Sequence, residues 1–247
     1  MIAVISDIHA NVEALRNVLE DISRHDVDDI ICLGDVIGYG PSPLQCIDLA
    51  RLFSVSLMGN HEDALLYKPL GFNEKARRAI EWTRSQLNHP DEPPDKKRWR
   101  WNFLGDLKRS HADGDAIFVH GSPRDPTREY IFPGDITDEQ KMNINFSKIE
   151  RVCFAGHTHV SGIFSEKGFI SPVIGEKMGL EGLGKAIINV GSVGQPRDGD
   201  PRACYVLYDG NSVRFVRVEY EMEKTIALMQ SISELDQYLV NRLRTGR

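Results

Sequence analysis

Five short stretches of the sequence carry side chains that bind metal ions and transfer protons. They are Asp7-Ile8-His9, Gly34-Asp35, Gly59-Asn60-His61, His120-Gly121 and Gly156-His157-Thr158-His159. Mixed carboxylate, amide and imidazole donors suit Mn, Fe, Co, Ni or Zn better than Ca²⁺. Taken singly, each stretch is also typical of a surface turn or of a helix start. Five such stretches along one chain instead predict a shared site.

Each stretch follows a short apolar run that predicts a β-strand. The predicted strands cover residues 1–6, 29–33, 53–58, 115–119 and 152–155. Helical periodicity follows the first strand over residues 12–24 and resumes again after Pro43. This strand–loop–helix order predicts parallel strands joined by crossover helices. Because open α/β sheets place their chemistry at the carboxyl ends of parallel strands, we expect the five stretches to meet at one sheet edge.

The rest of the chain predicts structure more than chemistry. Short strands after residue 160, with a hairpin turn at Asp209-Gly210-Asn211, predict an antiparallel meander. Residues 64–110 predict helices that could cap the site. Residues 220–245 predict a helix whose apolar stripe packs on the protein's own sheet or, alternatively, forms a homo-oligomer contact. The stripe consists of Leu228, Ile232, Leu235, Leu239 and Leu243.

Three further segments offer ligand contacts. Residues 96–101 interleave four cations with two tryptophans, which predicts either a nucleic-acid or phosphate surface or a helix with a solvated basic face. The glycine-rich loop 189–198 predicts either a phosphate cradle that uses Arg197 or a tight loop with a surface arginine. Candidate substrate contacts in the segment after His120 are Arg124, Arg128 and Tyr130.

Composition bounds the class of protein. The chain has 247 residues and no linker or internal repeat, which predicts a single domain over residues 1–247. Its net charge of −6 does not predict a nucleic-acid partner, except as a substrate. The four cysteines lie far apart, so neither a disulfide framework nor a zinc motif is predicted. The apolar run at residues 1–6 is too short for a secretory signal or a membrane span, and the expected location is cytoplasmic.

The order of the motifs resembles that of the calcineurin-like metallophosphoesterase superfamily. The matching blocks are Asp7-x-His9, Gly34-Asp35, Gly59-Asn60-His61-Glu62, His120 and Gly156-His157-x-His159. The resemblance implies an α/β (α+β) fold in which a two-sheet β-sandwich is flanked by helices, in four αββα layers. It also implies two divalent metal ions, which would be Mn, Fe, Ni, Co or Zn, with Mg as a further candidate.

The resemblance further implies a ligand set for each ion. The residues that would hold the first ion are Asp7, His9, Asp35 and His159. Those that would hold the second are Asp35, Asn60, His120 and His157, so that one carboxylate bridges both ions. His61 would not be a ligand; it would act as general acid to the leaving oxygen or stabilise the transition state. A metal-bridging hydroxide would attack phosphorus in line.

Two departures from the family pattern narrow the expected substrate. The family's protein serine/threonine phosphatases carry Asp-Arg where this chain has Gly38-Tyr39. The carboxylate that would orient His61 and the arginine that would grip phosphate are therefore both missing. Small bacterial phosphodiesterases of the family often have cysteine at the position of His61, but they share a late Asn-Pro-Gly-Ser block similar to Asn189-Val190-Gly191-Ser192. The chain looks closest to that branch, and Arg197 becomes the candidate phosphate-binding residue.

The expected function is hydrolysis of a small phosphate ester, a phosphodiester or a nucleotide, by a dinuclear metal-dependent phosphoesterase. One alternative is a protein serine/threonine or dinucleoside-polyphosphate phosphatase, and the missing Asp-Arg pair counts against the protein substrate. Another alternative, from a different class, is a non-catalytic metal-binding scaffold. The complete ligand set counts against that scaffold.

Overall fold

The computed structural model describes residues 1–247 and contains twelve strands, eight α-helices and one 3₁₀ turn at Pro133–Thr137. The strands are β1 (Ile2–Ile5), β2 (Asp29–Cys32), β3 (Val55–Ser56), β4 (Ser110–Asp113), β5 (Ala116–Val119), β6 (Val152–Ala155), β7 (Gly162–Ser165), β8 (Gly168–Ile170), β9 (Lys177–Gly179), β10 (Ala186–Asn189), β11 (Ala203–Tyr208) and β12 (Ser212–Val218). The helices are α1 (Val12–Ile22), α2 (Pro43–Ala50), α3 (Asn60–Leu66), α4 (Glu74–Leu87), α5 (Pro94–Asp106), α6 (Glu139–Ser147), α7 (Met222–Gln230) and α8 (Gln237–Thr245). None of these helices combines the length and the apolar composition that a bilayer span needs.

Two six-stranded mixed sheets form the centre of the fold. Their strand orders are β3-β2-β1-β11-β12-β9 and β4-β5-β6-β10-β7-β8. In the first sheet β1, β2 and β3 are parallel, and β11 joins β1 in the antiparallel sense. In the second sheet β5, β6 and β10 are parallel, and β4 and β7 flank them as antiparallel neighbours. The carboxyl ends of β1, β2 and β3, and those of β5 and β6, supply the loops that carry the predicted site.

The central strands are buried on both faces, which explains why they appear in the sequence as continuous apolar runs. In β1, Val4 belongs to the cluster between the two sheets, whereas Ala3 and Ile5 belong to the cluster that includes α1 and α2. In β6, Cys153 faces the outer cluster to which Phe146 of α6 contributes. Successive side chains of a strand point to opposite faces, so each sheet packs on its partner sheet and on helices. The predicted four-layer fold is confirmed.

Several predictions for the second half of the chain are wrong. The strands after residue 160 do not form one meander, because β10 pairs in parallel with β6 while β11 joins the other sheet. The strands β4 and β9 have no apolar run that would predict them. The C-terminal helix is two helices, and Leu228 lies on the outer face of α7 with 48% exposure, whereas Ile226 and Met229 of the same helix are buried.

Residues 96–101 lie in α5, and the alternative of a helix with a solvated basic face holds in part. Trp99 and Trp101 pack against the core beside the first sheet, as that interpretation requires. Arg100 is not on a solvated face: it is 3% exposed and bonds both carboxylate oxygens of Asp48 at 2.8 Å and Glu92 at 2.5 Å. The helices α4 and α5 of segment 64–110 contact α2 and α3. The role of this segment as a cap stays a prediction.

Candidate metal centre

The carboxyl ends of five strands bring the predicted metal ligands and His61 together. The strands and the residues that follow them are β1 with Asp7 and His9, β2 with Asp35, β3 with Asn60 and His61, β5 with His120, and β6 with His157 and His159. Main-chain hydrogen bonds join these loops. The Asp7 N–H donates to the Gly34 carbonyl at 3.0 Å, and the Gly156 N–H donates to the His120 carbonyl at 2.9 Å. Side chains from two sheets therefore converge on one buried centre.

The backbone of these loops is unusual. The non-glycine residues with positive φ angles, from 46° to 65°, are Asp7, His9, Ala10, Asp35, Tyr39, His157 and His159. Such left-handed conformations cost about 1–3 kcal/mol each for residues with a Cβ and cluster at functional sites. Most of these residues are predicted metal ligands, so the strain lies where the predicted chemistry lies.

The first cluster consists of Asp7, His9 and His159, with Asp35 at its edge. His159 Nε2 lies 3.0 Å from Asp7 Oδ1 and 3.1 Å from His9 Nε2. His9 Nε2 lies 3.6 Å from Asp7 Oδ1 and 3.7 Å from Asp35 Oδ2. The four donor atoms thus surround one small volume between β1, β2 and β6.

The second cluster consists of Asp35, Asn60, His120 and His157. His120 Nε2 lies 3.4 Å from Asp35 Oδ2, 3.0 Å from Asn60 Oδ1 and 3.1 Å from His157 Nδ1. The Asn60 side chain therefore points to His120 rather than capping α3, whose cap residue is Gly59. Asp35 Oδ2 faces both clusters, as a bridging carboxylate must.

Hydrogen bonds on the far side of three imidazoles determine which nitrogen faces the centre. His9, His159 and His157 each place one ring nitrogen near a backbone carbonyl, at 3.2, 2.6 and 3.1 Å respectively. The acceptor carbonyls belong to Ile37, Gln195 and Arg128. Because a ring N–H donates to each carbonyl, the other nitrogen turns a lone pair inward, as in metal-ligating histidines. In His9 and His159 two such lone pairs face each other at 3.1 Å beside Asp7 Oδ1, which has no hydrogen-bond partner. Facing acceptors need a cation between them, so the residues fit a metal ion.

The charges of the centre fix the ionisation states of its ligands. Burial would raise the pKa of Asp35, but the charges of neighbouring histidines, His120 foremost, hold it below its ordinary value. Burial would lower the pKa of His120, but the Asp35 carboxylate raises it to about 9. Burial and the charge of His120 lower the pKa of His157 to about 3, and burial and the charge of Arg197 lower the pKa of His159 to about 4. His157 and His159 are therefore neutral at pH 7, as metal binding requires.

His61 lies beside the ligands, and aromatic packing holds its ring. Its Nε2 is 3.9 Å from Asp35 Oδ2, and its buried Nδ1 has no partner. The rings of Tyr39 and Phe72 lie 4.4 and 4.9 Å from the His61 ring, between centroids. Gly38 leaves room for the imidazole, because a Cβ there would overlap Nδ1. Gly38-Tyr39 thus positions His61 by packing, without the orienting carboxylate of the protein phosphatases. Burial lowers the pKa of His61, so the ring is neutral at pH 7.

Sequence reasoning assigned no role to Glu62, which holds the loop of Asp35 in place. Its fully buried carboxylate accepts hydrogen bonds from the N–H groups of Asp35 at 2.9 Å, Ile37 at 3.1 Å and Gly59 at 2.9 Å. The next residue, Asp63, is also buried and forms ion pairs with two arginines. The signal for both was two consecutive acids after Asn-His, which also fits the first turn of a helix.

The loop 189–198 supports the backbone of the predicted metal ligands. Asn189 Nδ2 donates to the Gly156 carbonyl at 2.6 Å, and Ser192 Oγ donates to the Asp7 carbonyl at 2.8 Å. The Asn-x-Gly-Ser block therefore holds the first and last ligand loops together.

Arg197 lies at the edge of the centre. Its main-chain N–H donates to the His159 carbonyl at 3.1 Å, and its guanidinium donates to Gln195 Oε1 at 2.8 Å. The guanidinium carbon lies 5.8 Å from the Tyr39 ring centroid, and Nε is buried without a partner. The predicted phosphate-binding residue is thus adjacent to both His61's packing partner and a first-cluster ligand.

Comparison with known proteins bears on this arrangement. The family model described as the calcineurin-like phosphoesterase superfamily domain matches residues 1–212. The chain belongs to the calcineurin-like phosphoesterase superfamily. Membership confirms the predicted family and makes the chain one of a family of phosphate-ester hydrolases that use divalent metal ions. An uncharacterized protein of Methanocaldococcus jannaschii is 37% identical over 257 aligned residues, which cover 100% of this chain and 98% of that protein.

Solved structures show the same calcineurin-like architecture. The crystal structure of a metallophosphoesterase from Sphaerobacter thermophilus matches with a TM-score of 0.82 at 40% identity, over 100% of this chain and 98% of that one. A hypothetical protein from Pyrococcus horikoshii matches with a TM-score of 0.77 at 18% identity, over 100% and 99% of the two chains. The latter likeness concerns the fold alone.

Proposed function

We propose that this protein is a dinuclear metal-dependent phosphoesterase that hydrolyses a small phosphate ester, a phosphodiester or a nucleotide. The observation that carries the proposal is the position of Asp35. Its Oδ2 faces His9 at 3.7 Å on one side and His120 at 3.4 Å on the other, so it joins two clusters of donor atoms. A single metal site would not need a second complete cluster.

The proposed ligands follow from that arrangement. The first cluster, Asp7, His9 and His159 with Asp35, would hold one ion, and the second cluster, Asp35, Asn60, His120 and His157, would hold the other. Nitrogen and oxygen donors of this kind suit Mn, Fe, Co, Ni or Zn. A pair of such ions supplies Lewis acidity for in-line phosphoryl displacement and lowers the pKa of water. The protein's part is to present neutral imidazoles and ionised carboxylates in fixed positions.

His61 is proposed to act as a hydrogen-bond donor to the phosphoryl group or to the leaving oxygen. Burial lowers its pKa and outweighs the Asp35 carboxylate, which acts to raise it. A neutral ring favours stabilisation of transition-state charge through its N–H over proton transfer from an imidazolium. Tyr39 would keep the ring in place through the packing described above.

Arg197 is proposed to bind a phosphoryl oxygen with the guanidinium N–H groups that the protein leaves free. A guanidinium can make two parallel hydrogen bonds to phosphate, which a lysine cannot reproduce. Arg197→Ala should therefore raise KM or lower kcat, and Arg197→Lys should restore only part of the loss. If Arg197→Ala left both constants unchanged, this assignment would be dropped.

A small substrate is supported by the absence of the Asp-Arg pair and by the block that begins at Asn189. Gly38-Tyr39 stands where the family's protein phosphatases carry the pair, and the Tyr39 ring packs on His61. The proposal therefore favours the phosphodiesterase branch over a protein substrate.

The test is hydrolysis of bis-p-nitrophenyl phosphate beside p-nitrophenyl phosphate, after removal of metal and addition of Mn, Ni, Co, Zn or Mg. The control is Asp35→Asn, which keeps the shape of the bridging residue but removes its charge. Metal-dependent turnover that disappears in the variant would support the proposal, and the ratio of the two substrates would separate diesterase from monoesterase activity. Stoichiometric metal binding without turnover of any ester would favour the non-catalytic scaffold instead.

A further inference from the structure

Two aromatic side chains remain exposed beside the metal centre. Tyr130 is 40% exposed and Phe132 is 46% exposed, and both lie in the segment between β5 and α6. Their rings are nearly parallel, with an interplanar angle of 6° and centroids 5.4 Å apart. Single exposed apolar side chains are common on proteins, but two stacked rings at the edge of a buried ionic site are not scattered surface residues. We call this pair the aromatic ledge.

The ledge is continuous with the metal centre. The Tyr130 ring stacks on the imidazole of His157, with centroids 3.6 Å apart and an interplanar angle of 20°. The other nitrogen of that imidazole faces the Arg128 carbonyl at 3.1 Å, two residues before Tyr130 in the chain. A ring that rests on the ledge therefore lies beside the place where a phosphate would meet the second cluster.

The ledge is held in position before any ligand arrives. The Tyr130 carbonyl accepts a hydrogen bond from Lys141 Nζ at 2.7 Å, and the Phe132 N–H donates to Asp135 Oδ2 at 2.7 Å. Lys141 also pairs with Asp135 at 2.7 Å, which joins these contacts into a small network that holds the backbone of both residues. A preorganised surface loses little side-chain entropy when it binds, so its stacking energy appears as affinity.

The two arginines of the same segment already have acidic partners. Arg128 lies two residues before Tyr130 and forms an ion pair with Asp63, and Arg124 pairs with Glu129. The anionic part of a ligand would therefore meet the neighbouring candidate metal centre, and the ledge offers the apolar stacking face beside it.

We propose that Tyr130 and Phe132 form a substrate subsite that stacks a planar ring carried by the phosphate ester, so that the substrate is a nucleoside or aryl ester of phosphate. The proposal rests on the proposed function, because it places the ring next to the phosphate that the metal centre would bind. The shared chemistry is a flat aromatic ring linked to phosphate, and a nucleobase and an aryl leaving group are its two sources.

The test compares matched phosphates on the metal-loaded protein, by titration calorimetry for those that it does not hydrolyse and by the KM of hydrolysis for those that it does. AMP and ribose 5-phosphate differ only in the base, and phenyl phosphate and methyl phosphate differ only in the ring. Stacking of a base on an aromatic side chain favours the ring-bearing member by about 5- to 140-fold, which corresponds to about 1–3 kcal/mol at 1.4 kcal/mol per tenfold. A preference for AMP assigns the ledge to nucleobases, and a preference for phenyl phosphate alone assigns it to aryl esters.

The decisive variant is Phe132→Leu, because Phe132 has no contact with a proposed metal ligand. It should bring the two members of the preferred pair to within about threefold of each other while ribose 5-phosphate binds as before. Phe132→Tyr and Tyr130→Phe, which keep the rings, should retain the preference. Equal affinities of both pairs in the wild type would overturn the proposal. A second result would also overturn the proposal: the wild type is a dimer, and Phe132→Leu makes it a monomer without changing the ring preference. The ledge would then be a contact between two copies of the chain.

Hydrolysis of bis-p-nitrophenyl phosphate by the same preparations reports on the proposed function separately. Hydrolysis without any ring preference would reject the proposed subsite and still support the phosphoesterase activity. A ring preference without hydrolysis of any ester would support the subsite and reject the phosphoesterase activity.

Discussion

Metal binding at the second cluster is expected to release a proton from His120. The Asp35 carboxylate raises the pKa of His120 to about 9 in the metal-free protein, so the ring is about 99% protonated at pH 7. An imidazolium has no lone pair for a metal ion, so the proton must leave when the ion binds. Removing it at pH 7 costs about 2.7 kcal/mol, two pH units at 1.36 kcal/mol each.

The cost of deprotonating His120 sets how metal affinity changes with pH. Affinity for the ion of the second cluster should rise by about tenfold from pH 7 to pH 8 and level off above pH 9. His157 and His159, with pKa values lowered to about 3 and about 4, are already neutral and add no slope in this range. The carboxyl groups of Asp7 and Asp35 have pKa values held below their ordinary range, so they are already ionised and add none. Burial raises the pKa of Glu62 to about 7, so proton release is measured at pH 8, where Glu62 is mostly ionised and His120 is still mostly protonated.

The assay is titration of metal-free protein with Mn²⁺ by calorimetry in two non-phosphate buffers of different ionisation enthalpy. The difference between the binding heats in the two buffers gives the number of protons released, which should be about one for the ion of the second cluster. His120→Asn should abolish that release and the slope with pH. His111→Asn, which changes a half-buried histidine on β4 outside the centre, should keep both. Affinity independent of pH between 7 and 8 in the wild type, or proton release that survives in His120→Asn, would refute the assignment of His120 as a ligand.

Two further substitutions test the residues that hold the ligands in place. Glu62→Gln should lower the free energy of unfolding in urea by about 2 kcal/mol. An amide cannot accept all three backbone hydrogen bonds, and the bonds that remain are no longer made to a charged group. The control is Glu20→Gln at an exposed position, which should change the free energy of unfolding by less than about 0.5 kcal/mol. A loss for Glu62→Gln no larger than the control would count against its role. Gly156→Ala should weaken metal binding by about 10- to 100-fold, since its Cβ would overlap Asp7 Oδ2, whereas Gly105→Ala, with open space around it, should not. Unchanged metal affinity in Gly156→Ala would show that Asp7 does not need its present position.

The meeting of the strand-end residues at one site could be predicted from the sequence for a physical reason. A strand buried on both faces is a continuous apolar run, so a carboxylate or imidazole directly after it marks the point where the chain leaves the sheet. Asp7, Asp35 and His157 all follow this rule, and the glycines before Asp35 and His157 mark the turns. The order of these motifs then identified the family, and the fold followed from it.

Other features depend on packing that no local pattern encodes. Glu62 looks like an ordinary residue of a first helical turn until its carboxylate is seen to accept three N–H groups from two loops. Arg100 looks solvated in its sequence context because its partner Asp48 lies 52 residues away. Leu228 continues an apolar periodicity that the break between α7 and α8 interrupts. The edge strands β4 and β9 are polar because edge positions are only partly buried, and periodicity could not detect them.

The central claim is that Asp35 joins two metal ions. The most direct measurement is the anomalous scattering of crystals grown with Mn²⁺, together with metal analysis of the protein in solution. We expect two ions per chain, both in contact with the Asp35 carboxylate. The first should lie beside Asp7, His9 and His159, and the second beside Asn60, His120 and His157. A single ion per chain at saturating Mn²⁺, or two ions of which only one contacts Asp35, would contradict it.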